Sequence, residues 1–392
     1  MTASGEESRP LRVVIAGGGV AALEALLALR RLAEDRVSLE LLAAEPQFWY
    51  RPLAVAEPFG QGDVHGLDLS TVADELGATL ILGTLASVEP ELSVARTAAG
   101  GELEYDALLV ATGARPLPAV PGALTFRGPA DTEAFGALLV EAEAGRVRRI
   151  AFAVPGAVVW PLPLYELALQ TASVGDCEVV LVTHEEEPLG LFGRDASTRM
   201  AELLEQRGVE VVTGSYADGF EDGVLALRPD GSIETDRVVA LPRLEGPWID
   251  GLPKDATGFT PTDGHGRVPA ASHVFAAGDA TTFPVKQGGL AAQQADAAAE
   301  SIAALAGAPV EPQLFRPVLR GLILTGDRPL FARSEMARPG LPGETSTEAL
   351  WWPPGKIVGR YLAPYLAERS EAILTPQPAP DGVPVEVELP AV

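Results

Sequence analysis

The 392-residue sequence predicts an α/β protein with two doubly wound, parallel-sheet domains, the first discontinuous, and a small C-terminal α+β region. Three observations carry this expectation. Short apolar runs alternate with helical patterns twice, over residues 10–116 and again from Arg149 to about Leu241. The apolar run Leu11–Ala16 ends in Gly17-Gly18-Gly19. More than 250 residues later the run His273–Ala277 ends in Gly278-Asp279. A chain of this length exceeds one hydrophobic core and reads as two or three domains.

In chain order, Leu11–Ala16 is a buried strand, and Val20–Leu32 then repeats apolar residues at helical spacing. Gly17-x-Gly19-x-x-Ala22 at that junction fits the dinucleotide fingerprint of a Rossmann-like domain. Gly17 permits the tight turn, Gly19 lets backbone approach a pyrophosphate, and Ala22 lets helix lie close to strand. The helix N-terminus then faces the phosphates with unpaired N–H groups. On the second strand, Val37–Leu42, the expected acid comes late, as Glu45, which suits either a ribose contact or a solvated loop. Tyr105–Pro116 holds the next buried strand and a small-residue turn, and Pro116, Pro118 and Pro121 read as a linker. The second unit has strands at Arg149–Val154 and Cys177–Val182 around a helix at about Leu164–Thr171. Gly246–Arg267 leads back to the first domain, which His273–Ala280 and a helix from about Leu290 to Ala306 complete. Leu314–Arg333 reads as a hairpin, and the acidic tail from about Thr375 as mobile. The expected domains are thus 10–116 with 250–310, 117–249, 311–374 and a tail 375–392. The two glycine-ended strands point to one FAD held by both ends of the first domain.

Composition excludes several functions. A formal charge of −25 and a pI near 4.5 repel phosphate backbones and anionic membrane surfaces, so nucleic acid is not an expected partner. Met1–Pro10 lacks the basic start and apolar core of a secretory signal. The charge-free stretch Ile150–Tyr165 is broken by three prolines and falls short of the ~20 apolar residues that span a bilayer. A cytoplasmic location is expected. Cys177, the only cysteine, permits no disulfide or dithiol relay and reads as a small buried thiol. The four histidines show no metal-ligand spacing, and no metal site is expected.

Gly17-Gly18-Gly19 with Glu24, Tyr50-Arg51-Pro52, Ala111-Thr112-Gly113, Gly278-Asp279-Ala280 and Lys286-Gln287-Gly288 occur in this order. Over roughly residues 11–306 the chain resembles flavoproteins with two dinucleotide-binding domains, especially sulfide:quinone oxidoreductases and type II NADH dehydrogenases. The resemblance implies FAD in the first domain, with Asp279 accepting hydrogen bonds from the ribityl chain and Arg51-Pro52 near the isoalloxazine edge. The cofactor-binding set is then Gly17, Gly19, Ala22, Glu45, Arg51, Pro52, Ala111, Thr112, Gly113, Gly278, Asp279, Lys286, Gln287 and Gly288. Two departures stand out. Where a nicotinamide site carries Gly-x-Gly-x-x-Gly, this chain has Pro155-Gly156-Ala157-Val158-Val159-Trp160-Pro161-Leu162-Pro163, which argues against tight NAD(P)H binding. Trp160 with its prolines is expected to fill the pyrophosphate space. Trp160 also aligns with the redox cysteine of the sulfide:quinone pattern, so sulfur chemistry has lost its nucleophile.

Two residues are catalytic candidates. Lys286 precedes a helix start and is placed to face the flavin pyrimidine edge, where reduced flavin carries negative charge. Glu166 is either a proton carrier for the acceptor or a cap on its helix. The aromatic, locally basic stretch Trp351–Leu366 is the one candidate for peripheral membrane contact, with packing on the protein or on a homodimer partner as the preferred use. The sequence therefore predicts an FAD-dependent oxidoreductase moving electrons between flavin and a small organic donor or quinone, without redox cysteines. The alternatives are an NAD(P)H:acceptor reductase and a non-catalytic flavoprotein sensor.

Overall fold

The glycine-ended strands meet in one sheet. In the computed structural model, which describes residues 9–175, 177–336 and 343–369, five parallel strands run in the order Val274–Ala276, Ala107–Val110, Leu11–Ala16, Val37–Ala43, Ala78–Leu82. Ile15 lies opposite both Leu41 and Leu109. Val13–Ala16 are wholly buried because both faces are covered. Val13 and Ile15 face the helical layer; Val14 and Ala16 face a three-stranded antiparallel sheet, Leu85–Glu89, Val94–Thr97 and Glu102–Glu104.

The helices are α1 (Val20–Ala33), α2 (Leu69–Glu75), α3 (Thr132–Glu143), α4 (Leu162–Val174), α5 (Arg194–Gln206), α6 (Gly288–Leu305) and α7 (Leu362–Ala367). A second five-stranded parallel sheet has the order Leu124–Thr125, Arg237–Ala240, Arg149–Ala153, Glu178–Val182, Glu210–Val212. It is inserted between the fourth and fifth strands of the first. Arg115–Leu117 and Arg243–Glu245 pair antiparallel where the chain leaves and returns, so the proline-marked connection is a two-stranded ribbon.

Val318–Ile323, Leu330–Glu335 and Glu344–Ser346 form an antiparallel sheet that packs on the second domain. The aromatic stretch that follows turns its apolar groups inward. Trp351, Ile357, Val358, Leu362 and Leu366 are buried. Trp351 meets Phe331 edge-on at 5.0 Å and donates Nε1–H to the Gly355 carbonyl. The stretch is thus consumed by packing on its own chain. No helix among the described residues is long and apolar enough to cross a membrane. The proposed tail 375–392 lies outside the described residues.

Candidate functional site

The first turn is built by steric exclusion. Gly17 has φ +147°, and a Cβ there would lie 2.1 Å from the Ala111 carbonyl oxygen. No side chain fits. Gly19 is the N-cap of α1, with no capping side chain and no atom within 4 Å of where its Cβ would stand. Backbone at this point is open to an incoming group. Ala22 is wholly buried against α6. The Ala111-Thr112-Gly113 turn lies alongside: Thr112 Oγ1 is buried without a hydrogen-bond partner, and Gly113 has φ +73°. Glu45 is exposed, two residues beyond its strand.

Gly278 at φ +74° admits the other end, since a Cβ there would sit 3.1 Å from Ala21 Cβ and 3.3 Å from Ala291 Cβ. The Asp279 carboxylate makes no hydrogen bond among the described residues. Burial pushes its pKa up, and the nearby Lys286 and Arg51 pull it back. Lys286 donates to the Thr281 carbonyl and lies 3.9 Å from the centre of the Phe259 ring. Burial lowers this ammonium to about 8, against the opposing pull of Asp279 and Asp255. Gln287 is the N-cap of α6, its side chain accepting from Leu290 N at 2.8 Å.

Asp279, Lys286 and Gln287 open onto a cavity of ≈ 560 Å³ between the domains, which the Gly17–Gly19 and Ala111–Gly113 turns do not line. Arg51, Pro52, Asp279, Lys286, Gln287 and Gly288 line it from the first domain. Trp160, Leu162 and Glu166 line it from the second, and Arg320, Leu322 and Lys356 from the C-terminal region. Glu166 is the fifth residue of α4 and does not cap it. Its Oε1 accepts from Leu324 N at 2.8 Å and pairs with Lys356 Nζ at 2.5 Å, both side chains being almost fully buried. Burial pushes Glu166 up and Lys356 down, and each resists the other's neutralisation. Sequence reasoning missed Lys356 and Arg320 as cavity groups. The signal for Lys356 was its scarcity, as one of three lysines; for a buried arginine on an ordinary strand there was none.

The second domain holds a separate crevice of ≈ 490 Å³, lined by Val158, Val159, Pro161, His184, Glu185, Glu186, Glu187, Gly190 and Leu191. Here one expectation is corrected. Trp160 does not fill the pyrophosphate turn; its ring packs on Phe192 at 5.8 Å and faces the interdomain cavity. Gly156 is covered instead by Tyr216, which stacks on His184 at 5.4 Å. Pro163 lacks an N–H and Leu164 N is spent on the Pro161 carbonyl at 2.9 Å, so α4 offers few donors to an anion. Glu185 already accepts from Tyr165 Oη at 2.6 Å and Thr183 Oγ1 at 3.0 Å. Cys177 is half-buried rather than buried, at the start of the Glu178–Val182 strand, and does not line the cavity. Among the described residues no cluster of His, Cys, Asp or Glu has the makings of a metal site.

The chain is similar to a sulfide:quinone oxidoreductase of Aquifex aeolicus, with a TM-score of 0.78 over 86% of both chains at 19% identity. It also resembles the ferredoxin reductase of the CYP199A2 system from Rhodopseudomonas palustris, with a TM-score of 0.66, 21% identity and 83% of each chain covered. A probable ferredoxin reductase, CtmF, of Castellaniella defragrans is 27% identical over 230 residues, 55% of this chain and about half (54%) of that relative's length. The family model for pyridine nucleotide-disulphide oxidoreductases, flavin enzymes that typically bind FAD and NAD(P)H, matches residues 11–300. The open Gly17–Gly19 turn, the unpartnered Thr112 and Asp279 and the half-buried Lys286 fit such a flavin nucleotide, and this chain belongs to the pyridine nucleotide-disulphide oxidoreductase family.

Proposed function

We propose that the protein is an FAD-dependent oxidoreductase exchanging electrons directly between its flavin and a small organic donor or quinone in the interdomain cavity, without a redox thiol. The carrying observation is the cavity of ≈ 560 Å³, lined by the FAD-side residues Arg51, Asp279 and Lys286 and by Trp160 and the Glu166–Lys356 pair. When bound, the flavin supplies hydride and one-electron chemistry. The chain supplies the rest. Gly17, Gly19 and the start of α1 receive the pyrophosphate, Thr112 and Asp279 offer hydrogen-bonding groups, and Lys286 holds positive charge beside the site. Trp160, Phe283 and Leu322 exclude water from one flank, and Glu166 with Lys356 can hold or release a proton at its carboxylate oxygen. Glu45 receives the adenosine ribose.

A second reading, NAD(P)H:acceptor reductase, is favoured by the crevice at the carboxyl ends of the Arg149–Ala153 and Glu178–Val182 strands, where a dinucleotide would lie. Its three glutamates and the covered Gly156 weigh against it. The purified protein should be yellow, and anaerobic stopped-flow mixing should show flavin reduction by a quinol and slow or no bleaching by NADH or NADPH. Rapid bleaching by either nicotinamide establishes the second reading. A flavin silent to nicotinamides, sulfide and quinols returns the sensor alternative, and a colourless protein that refuses FAD in titration overturns all three.

A further inference from the structure

Outside the cavity, one face of α6 carries Ala292, Asp296 and Glu300 one turn apart. It meets α1 and the chain segment that follows Lys356. Glu24, wholly buried in α1, spends both oxygens on that segment: Oε1 accepts from Tyr361 N at 2.7 Å and Oε2 from Leu362 N at 2.8 Å. Gly359 is required there, since a Cβ would lie 2.2 Å from Glu24 Oε2 and 3.3 Å from Ala292 Cβ. The Asp296 carboxyl is in hydrogen-bond contact with Glu24, and its Oδ1 is buried without a hydrogen-bond partner. The other charged groups facing the pair are Arg360, which pairs with Glu300 at 3.3 Å, and Glu300, which also accepts from Gln313 N at 2.8 Å. The Tyr361 phenol is the remaining titratable neighbour.

Two carboxylates in contact, Glu24 wholly buried and Asp296 half-buried with its Oδ1 covered, do not readily both ionise; a hydrogen bond between them needs one proton. Glu24, already facing two backbone donors, is the acceptor. Asp296 is left as the donor. We propose that Glu24 and Asp296 hold one proton between them and that this proton fixes the segment Lys356–Leu362, making both positioning residues for the cavity wall that Lys356 supplies. Burial and the facing Glu24 raise Asp296 well above the ordinary carboxylate value, and Arg360 opposes them. On loss of the proton two like charges face each other. The α1–α6 contact is closely packed along both helices through Ala21, Ala22, Ala291 and Ala295, whereas the segment meets α1 over a smaller contact, two N–H groups and the packed side chains of Tyr361 and Leu362, so the segment is what yields. Glu24 and Asp296 do not line the cavity, so their proton is independent of the identity of the electron donor or acceptor.

The test is hydrogen exchange of the full chain, followed in peptides covering Tyr361 and Leu362 from about pH 6 to 9 and corrected for intrinsic exchange. In the wild type, protection should fall by about tenfold or more across that range, a tenfold change for each unit the pH climbs from the ordinary carboxylate range toward the shared pKa, and it should level off above that pKa. In Asp296→Asn the amide N–H donates to Glu24 without titrating, and protection should stay level. A level wild-type profile, or the same fall in both proteins, overturns the proposal. Should Asp296→Asn not fold, infrared spectra of aspartate-labelled Asp279→Asn, which removes the other aspartate that burial pushes up, decide: a protonated-carboxyl C=O band at about pH 7 supports the shared proton, and its absence overturns it.

Discussion

At the scale of single residues the site is governed by what cannot be placed there and by one cation that can change state. Gly17 tolerates no Cβ because the Ala111 carbonyl is already at contact distance, while Gly19 faces open space. Lys286 is the adjustable residue. A unit charge about 4 Å away contributes up to about 4 kcal/mol at an effective dielectric near 20, an upper figure for a partly exposed group. At about 30 mV per 1.4 kcal/mol for two electrons, Lys286→Ala is expected to lower the flavin midpoint potential by tens of millivolts with FAD still bound. Spectroelectrochemistry checks this, and an unchanged potential removes Lys286 from the site. The sign with pH is fixed: the ammonium exists below its pKa of about 8 and is lost above it. The potential of the wild type should therefore approach that of Lys286→Ala as pH rises through that value.

Between elements, the informative link is the one α4 makes to the segment carrying Lys356. Glu166 and Lys356 are nearly 200 residues apart in sequence, yet form a buried ion pair. Removing one partner leaves an uncompensated charge, so Glu166→Gln is expected to cost about 3–5 kcal/mol, and the double variant Glu166→Gln/Lys356→Met much less. Urea unfolding of the three proteins measures it; equal losses in the single and double variants would mean the pair does not compensate itself. Elements were legible in the sequence wherever pattern is local. Buried strands such as Leu11–Ala16 read as unbroken apolar runs, and the glycines after them announced their turns. The helix at Leu164–Thr171 proved longer, Leu162–Val174, because proline is tolerated in a first turn. What the sequence hid was pairing across distance. Nothing local in Tyr216 reveals that it covers Gly156, nothing in Glu24 that it grips Tyr361 and Leu362, and Trp160 was assigned to the wrong space for the same reason.

Taken whole, the molecule carries a charge of −25, which sets its encounter rate with any charged protein. Long-range repulsion slows encounter with an acidic partner and attraction speeds encounter with a basic one, and both effects fade as salt shortens the screening length to about 8 Å. With redox proteins added as probes, any electron transfer to an acidic one should therefore accelerate from low to physiological ionic strength, and any transfer to a basic one should slow. Stopped-flow rates across a salt series decide, and a neutral quinone should be indifferent. The sheet order has a consequence of another kind. The strand Val274–Ala276 pairs beside Ala107–Val110, and the whole second sheet lies between them in the chain. On the ribosome the inserted domain thus has all its strands before the outer one receives its last, so the inner unit matures first. The sheet that carries the Gly17–Gly19 and Gly278 turns is complete only late in translation.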